Sequence, residues 1–593
     1  MALPLLIYIV VEAINGYAGW WHEWPWQTFL NWVLILLILL VFTALLGRLW
    51  LGASLVSVVF ILFALVNVAK MQARAQPVFL ADLLFVKEVL ALDYRTYGSP
   101  LQINWPWREL IIFLLSFVTL LVLNIKFHLA RLWQPLIRLI IGSASAILLV
   151  VFICLTQFIE LPFYTNITQL YRHNGLPMSI IYSYYLSKIK QPSQRYSAAD
   201  LQLLSAEIEP LASPSAQFIF PDVIVIMSES FFDLGSHNSK LNTSKLLPYF
   251  YRFSKEGFSG DVTSPVFGGS TSVSEFEFLT GHRANFLPTT LQPYVYFIKN
   301  KTFALPWLLA NHGYQARAYH PFYSDYWNRD VVYPYLGFTE FIADTSPYEE
   351  KLLADSFKYL PVTAAERDTH FTSDVVAVRK IVADLISEQE YSAPPQFKFL
   401  ITLQNHGPHN SPGLFSDELR AEVLPLLEPF DFTEDEEFFL SNYLLNLAGA
   451  DQSLRLLYQY LNSPSARPTL VVFFGDHQPG LVNNQEIFAR LGLLGADDQP
   501  LSIYETQFFV WSNYFNADTV AKSLQTSLPE ELHLYDLAPA IYQFLGWSLP
   551  DYWQLSRTPA LRSYDSSLPW QSAQYNLLFE QGSQFDQVGN FLL

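Results

Sequence analysis

The chain has 593 residues, 51% of them hydrophobic and only 15% charged, with a formal net charge of −18 at pH 7. That length exceeds what one hydrophobic core supports, so at least two folding units are expected, and the acidic balance excludes nucleic acid as a partner, because phosphate backbones are met by basic patches. The sole cysteine, Cys154, excludes an intrachain disulfide and leaves the redox compartment open.

The averages hide a division near residue 157. Before it stand nine Lys/Arg and six Asp/Glu, a net of +3; the 26 basic and 47 acidic residues after it give −21. The front is a membrane composition and the rest an acidic soluble domain. Three apolar runs reach the roughly 20 residues that a bilayer needs: Phe29–Leu46, Leu51–Val68 and Leu139–Ile159. Leu110–Ile125 is slightly short but almost free of charge. Leu3–Ala13 lacks the basic flank and small-residue cleavage site of a signal peptide and reads as a first span. A five-span transmembrane helical domain is therefore expected over residues 1–159.

The short loops orient it. Lys126, Arg131 and Arg138 stand between the last two runs with no acid among them, and Arg48 stands alone between the second and third. Both loops read as cytoplasmic, which puts the C-terminal domain outside. The segment from Lys70 to Arg108 resists this, with five basic residues on the expected outer side. Its apolar stretch Val78–Leu92 is expected to lie along the interface as an amphipathic helix. Residues 160–220 read as a connector, with an interfacial helix over Tyr196–Ile208 and then a Pro/Ser/Ala-rich linker.

From residue 221 to 593, short β-branched runs alternate with amphipathic stretches. Val223–Met227, Phe397–Thr402, Thr469–Phe474 and Thr506–Trp511 read as buried strands. Leu246–Lys255, Asp374–Glu388, Phe438–Asn462 and Tyr535–Leu545 read as helices. The alternation implies an α/β domain with a mostly parallel central sheet. Such folds collect chemistry at the carboxyl ends of their strands. There the sequence places Ser228-Glu229-Ser230, Gln404-Asn405-His406 and Gly475-Asp476-His477.

An acid after one strand and an Asp-His pair after another suit Mn²⁺, Mg²⁺ or Zn²⁺. Taken alone, each has a strong reading as a cap or a turn residue, and for a lone Asp-His pair that structural reading comes first. Between them lies Gly268-Gly269-Ser270-Thr271-Ser272, followed by Val273-Ser274-Glu275-Phe276. Glycines let a backbone approach an anion, and the helix expected to begin near Ser272 offers free N–H groups. A hydroxyl there serves as a nucleophile if a bound cation lowers its pKa; otherwise it is a Ser/Thr-rich cap.

Together these residues resemble the lipoteichoic acid synthase and phosphoglycerol transferase family, within the alkaline phosphatase and sulfatase superfamily. The resemblance rests on glycines, Thr271, two residues, then Ser274-Glu275-Phe276, and on His320 followed after six residues by Trp327-Asn328-Arg329. It implies Thr271 as nucleophile and one divalent cation held by Glu229, Thr271, Asp476 and His477. Mn²⁺ or Mg²⁺ is favoured over Zn²⁺, because oxygen ligands outnumber nitrogen. It implies a substrate pocket of His320, Trp327, Arg329 and His406. Ser270 and Ser272 are expected to be structural, and His409 has no assigned role. The implied donor is phosphatidylglycerol or a similar phospholipid, and the acceptor a glycerophosphate polymer or a glycan. A phosphoethanolamine transferase shares the superfamily fold, but resemblance leads one to expect several disulfides there. A formylglycine sulfatase requires a C/S-x-P-x-R signature that the sequence lacks. A catalytically silent envelope-binding module is the alternative from another class.

Overall fold

The computed structural model describes residues 2–16, 25–74, 77–85, 111, 135–156, 171, 173–186, 219–284, 292–298, 300–344, 372–390, 393–407, 409, 415–481, 484–493 and 504–556. The chain forms two compact units, Met1–Ala91 with Pro100–Ile189, and Leu92–Ser99 with Lys190–Leu593.

In the first unit, three described helices are long and apolar enough to cross a membrane: Pro25–Leu46, Leu49–Met71 and Pro135–Thr156. They coincide with three of the five expected spans. Leu3–Ile14 is apolar but shorter. Leu110–Ile125, apart from Ile111, and the expected Tyr196–Ile208 helix lie outside the described residues. Of Val78–Leu92, the part described forms a 3-10 helix, Leu80–Phe85, rather than an α-helix. Asp82 organises it, accepting from Phe79 N at 2.8 Å and from Lys70 Nζ at 2.7 Å.

A helix over Leu176–Leu186 was not expected, because its sequence is apolar all round and has no polar face to set a 3.6-residue period. Its free N-terminal N–H groups are met by side chains of other helices. Leu176 N donates to Glu12 Oε1 at 2.8 Å and Met178 N to Asn31 Oδ1 at 3.0 Å.

The second unit is built on a seven-stranded sheet. Its strands are β1 (Asp222–Ser228), β2 (Phe258–Thr263), β3 (Gln315–Tyr323), β4 (Glu340–Asp344), β5 (Gln396–Ile401), β6 (Thr469–Gly475) and β7 (Glu505–Ser512). The order is β2-β7-β6-β1-β5-β3-β4, parallel except where β7 pairs with β6 and β2. The mostly parallel sheet expected from the sequence is thus present. All seven residues of β1 are buried, as a central strand covered on both faces requires. Ile224, Ile226, Val471 and Phe473 pack in one cluster with residues of the Asp374–Glu390 and Glu434–Leu461 helices. On the other face Phe278, from the helix Thr271–Thr280, stacks on Phe399 at 5.7 Å and meets Phe474 at a tilt at 4.9 Å.

Candidate active site

The register pairs Ser228 with Gly475 and Met227 with Ile401, so β1, β5 and β6 end at one level. Glu229, the loop Thr402–His406 and Asp476-His477 therefore emerge side by side, in the crevice where open α/β sheets gather their ligands.

Glu229, Asp476 and His477 each bring a ligand atom to within 4.8 Å of the others, and all three are buried. His477 Nε2 lies 3.2 Å from Asp476 Oδ2 and 3.6 Å from Glu229 Oε1. Asp476 Oδ1 is held by Ser230 N at 2.7 Å and His477 N at 2.8 Å, which turns Oδ2 toward the imidazole. His477 Nδ1 faces Gln478 O at 2.9 Å. A carbonyl only accepts, so Nδ1 carries the proton and Nε2 presents its lone pair to the two carboxylates. Burial, and then the Asp476 charge, raise the Glu229 pKa. Burial pushes Asp476 up to about 7, although Ser230 N and His477 N favour its charged form. Two buried carboxylates and an imidazole lone pair facing one point repel one another, and a divalent cation is what this donor set fits.

Thr271 is the first residue of its helix, one position earlier than expected. Gly268, Gly269 and Ser270 precede it with φ of 66°, 146° and 69°. The first two are conformations that glycine adopts without a side-chain clash. Gly268 N donates to Gln478 O at 3.1 Å, tying this loop to the one after β6. Thr271 Oγ1 donates to Glu229 Oε2 at 3.3 Å, so the hydroxyl faces the carboxylate cluster. Its serine neighbours face elsewhere. Ser272 Oγ donates to Gln292 Oε1 at 2.6 Å, and Gln292 Nε2 donates to Ser270 Oγ at 3.0 Å.

His320 lies near the end of β3, where the register with β4 shifts between His320 and Tyr323. Its Nδ1 faces Ile401 O at 3.2 Å. Burial, then the charges of Arg329 and His406, hold its pKa well below the usual range, so the ring is neutral. His406 is half-buried, with Nδ1 2.8 Å from Gly407 O. Trp327 and Asn328 both adopt left-handed backbone, with φ of 58° and 62°, and Arg329 follows as the first residue of the helix Arg329–Leu336. Trp327 is half-buried and meets Tyr326 edge-on at 5.4 Å. Arg329 is 1% exposed and Glu275 fully buried. Arg329 Nε donates to Glu275 Oε1 at 3.0 Å, and Nη2 donates to the same oxygen. Burial opposes the Arg329 charge, but Glu275, Tyr333 and Tyr294 together outweigh it and the pKa is raised.

Residues 221–547, more than half of the chain, match the model of the sulfatase family. The chain belongs to the sulfatase family. It is 29% identical over 416 residues to a Rhizobium meliloti (strain 1021) protein named for cyclic beta-1,2-glucan modification, covering 68% of this chain and 59% of that one. It is 25% identical over 265 residues to the lipoteichoic acid synthase-like YvgJ of Bacillus subtilis (strain 168), covering 44% and 37%. The chain thus spans less than two thirds of the length of either curated relative. Among solved structures, the Streptococcus pyogenes phosphoglycerol transferase GacH in complex with sn-glycerol-1-phosphate aligns at 21% identity and a TM-score of 0.49, over 67% of this chain and 97% of that one.

In this sulfatase-family domain, the four residues expected to hold a cation converge directly. His320 reaches the Ile401 carbonyl at the end of β5, His406 lies in the loop that follows, and Arg329 is tied to the Thr271 helix through Glu275. Several contributors escaped sequence reasoning. Thr402 Oγ1 accepts from Glu229 N at 3.1 Å, and Ser230 Oγ donates to Glu229 Oε1 at 2.9 Å. Ser274 Oγ donates to the Asp476 carbonyl at 2.7 Å. Glu275 entered only as a motif letter, although a carboxylate among Phe276, Phe278 and Leu279 was itself a signal that a buried cation must meet it. Arg329→Ala would strand Glu275 without its partner at a cost of about 3–5 kcal/mol, so that variant tests folding as much as binding. His409 is buried and packs edge-on against Tyr443 at 5.2 Å, its pKa pushed down to about 3 by burial and then His406.

Proposed function

We propose that this sulfatase-family chain is a membrane-anchored phosphoglycerol transferase. It moves glycerophosphate from phosphatidylglycerol, or a similar phospholipid, to an alcohol on a glycerophosphate polymer of the lipoteichoic acid type. The observation that carries this reading is the Thr271 hydroxyl 3.3 Å from Glu229 Oε2, within the buried Glu229, Asp476 and His477 cluster. A divalent cation bound by Glu229, Thr271, Asp476 and His477 supplies charge neutralisation and a lowered hydroxyl pKa, with Mn²⁺ or Mg²⁺ suiting the oxygen-rich set better than Zn²⁺.

In the first step Thr271 Oγ1 forms a bond to the donor phosphorus, and the bond from phosphorus to the diacylglycerol oxygen breaks. The threonine gives up its proton, a proton reaches the departing oxygen, and glycerophospho-threonine remains. In the second step the acceptor hydroxyl attacks the same phosphorus and Thr271 recovers its hydroxyl. His320 and His406 bind phosphoryl oxygens or carry the leaving-group proton. Arg329 binds phosphoryl oxygens through directed N–H groups. Trp327 walls the glycerol. Thr271 cannot be oxidised to formylglycine, which disfavours sulfate ester cleavage. A second reading shares every step and differs in the acceptor: a cyclic glucan, favoured by the 29% identity to the Rhizobium protein.

The test is the product formed from headgroup-labelled phosphatidylglycerol by the purified chain with Mn²⁺, offered a glycerophosphate polymer or a cyclic glucan. Label should pass to one acceptor as diacylglycerol is released. Glu229→Ala and Asp476→Ala should lose both bound metal and turnover. Absence of diacylglycerol release with any divalent cation, or full metal content in both variants, would sink the reading.

A further inference from the structure

We propose that Glu275 is a positioning residue that aims Arg329 at the phosphoryl group and ties that aim to the nucleophile through one turn of helix. The inference rests on the reading of Arg329 as a phosphate ligand given above. Glu275 stands four residues after Thr271 on the helix Thr271–Thr280, so the two share one face. The same turn carries Ser274, whose hydroxyl donates to the Asp476 carbonyl at 2.7 Å. One rigid element therefore registers the Thr271 hydroxyl, the loop bearing Asp476 and the guanidinium of Arg329.

The clamp uses one edge of the guanidinium. Nε and Nη2 donate to Glu275, with Nε 3.0 Å from Oε1 and 3.3 Å from Oε2. Among the described residues, Nη1 meets only the Tyr326 carbonyl, at the long distance of 3.5 Å. A guanidinium has a second two-donor edge, formed by Nη1 and Nη2, and that edge remains for a pair of phosphoryl oxygens. Glu275 is oriented in turn by Tyr333, whose hydroxyl donates to Oε2 at 2.6 Å. Glu275 and Tyr333 are fully buried, so water does not compete for these bonds.

The backbone before Arg329 gives the clamp something to hold. Trp327 and Asn328 are both left-handed; asparagine tolerates that region, but for tryptophan it is unfavourable, and such strain persists only where surrounding contacts over-determine it. The Glu275 clamp is one such contact. Because the pair is neutral as a unit, Arg329 acts through directed N–H groups more than through bulk charge, and its angle matters.

The experiment uses the Mn²⁺-loaded full chain in detergent and calorimetric titration with glycerol phosphate. Glu275→Gln keeps the shape but loses the charge, Tyr333→Phe removes only the supporting hydroxyl, and Arg329→Lys removes the fork. Glu275→Gln should weaken glycerol phosphate by about tenfold and Tyr333→Phe by less, with Mn²⁺ stoichiometry unchanged. The Glu275→Gln/Arg329→Lys double variant should bind no more weakly than Arg329→Lys alone, because Glu275 acts through Arg329. A purely structural role would lower the melting temperature without that non-additivity. If Glu275→Gln does not fold, the same cycle between Tyr333→Phe and Arg329→Lys decides. Unchanged affinity in folded Glu275→Gln, or additive losses in the cycle, overturns the positioning role while Arg329→Lys still weakens binding. Unchanged affinity in Arg329→Lys overturns the underlying reading of Arg329 instead.

Discussion

Three adjacent hydroxyls, Ser270, Thr271 and Ser272, differ in what they face. The two serines share the Gln292 amide, while Thr271 turns to Glu229. The spacing to Ser274-Glu275-Phe276 singled out Thr271 by resemblance. The partner that occupies its neighbours lies twenty residues beyond Ser272, and no local pattern announces it. Thr271→Ala should abolish transfer, and Ser270→Ala and Ser272→Ala should each keep substantial turnover, losing a net hydrogen bond of about 1 kcal/mol. Mass spectrometry of enzyme incubated with donor and no acceptor should place the glycerophosphate on Thr271. An adduct on either serine, or full activity in Thr271→Ala, would reject this assignment.

At the level of elements, the helix Pro248–Glu256 shows how one segment completes another. Its N-cap, Leu247, has no side chain to cap with, and Pro248 opens it. Asp451, from the helix Glu434–Leu461, accepts instead from Tyr249 N at 2.9 Å and Phe250 N at 2.6 Å. Burial raises Asp451 to about 7 against those two bonds. Unfolded, it would lose its proton near the ordinary value of 3.8. Between the two values the folded state holds more protons than the unfolded one, so this residue's contribution to stability falls as pH rises and levels off above about 7. Asp451→Asn keeps an acceptor oxygen without the buried charge. Thermal melts should place it a few degrees above the parent at pH 8, with the gap narrowing toward pH 5. An equal gap at both pH values, or none, would show that the carboxyl charge is not the destabilising feature. The strands divide in a similar way. The central strands β1, β5 and β6, and β7 beside them, were legible because burial on both faces leaves continuous apolar runs. The outer strands β2, β3 and β4 were not: β2 and β4 are edges with exposed residues, and β3 carries the polar Arg317 and His320 and then Pro321 where its register shifts.

On the scale of the whole molecule, the claim to test is sidedness. The acid-free basic loop Lys126–Arg138 argues that everything after Ile159 lies outside the cytoplasm. That is also where an outer-leaflet phospholipid donor would be reached. A reporter that works only outside, fused after Pro221, should be active, and one that works only in the cytoplasm should be silent there. The opposite pair of results would reverse the topology and remove the donor leaflet that the proposed reaction uses.

The residues alone determined the membrane composition of the front, the central parallel strands and the acidic and histidine side chains that stand at the strand ends, because hydrophobic runs and short motifs are local properties that chain neighbours already express. Tertiary structure alone decided the rest. It turned Thr271 toward Glu229 and its serine neighbours toward Gln292, set Glu275 against Arg329, and capped one helix with Asp451 from another. Each of these joins groups far apart in the chain whose pairing depends on packing geometry. A buried charge or N–H must find a partner somewhere, and only the folded arrangement determines which one.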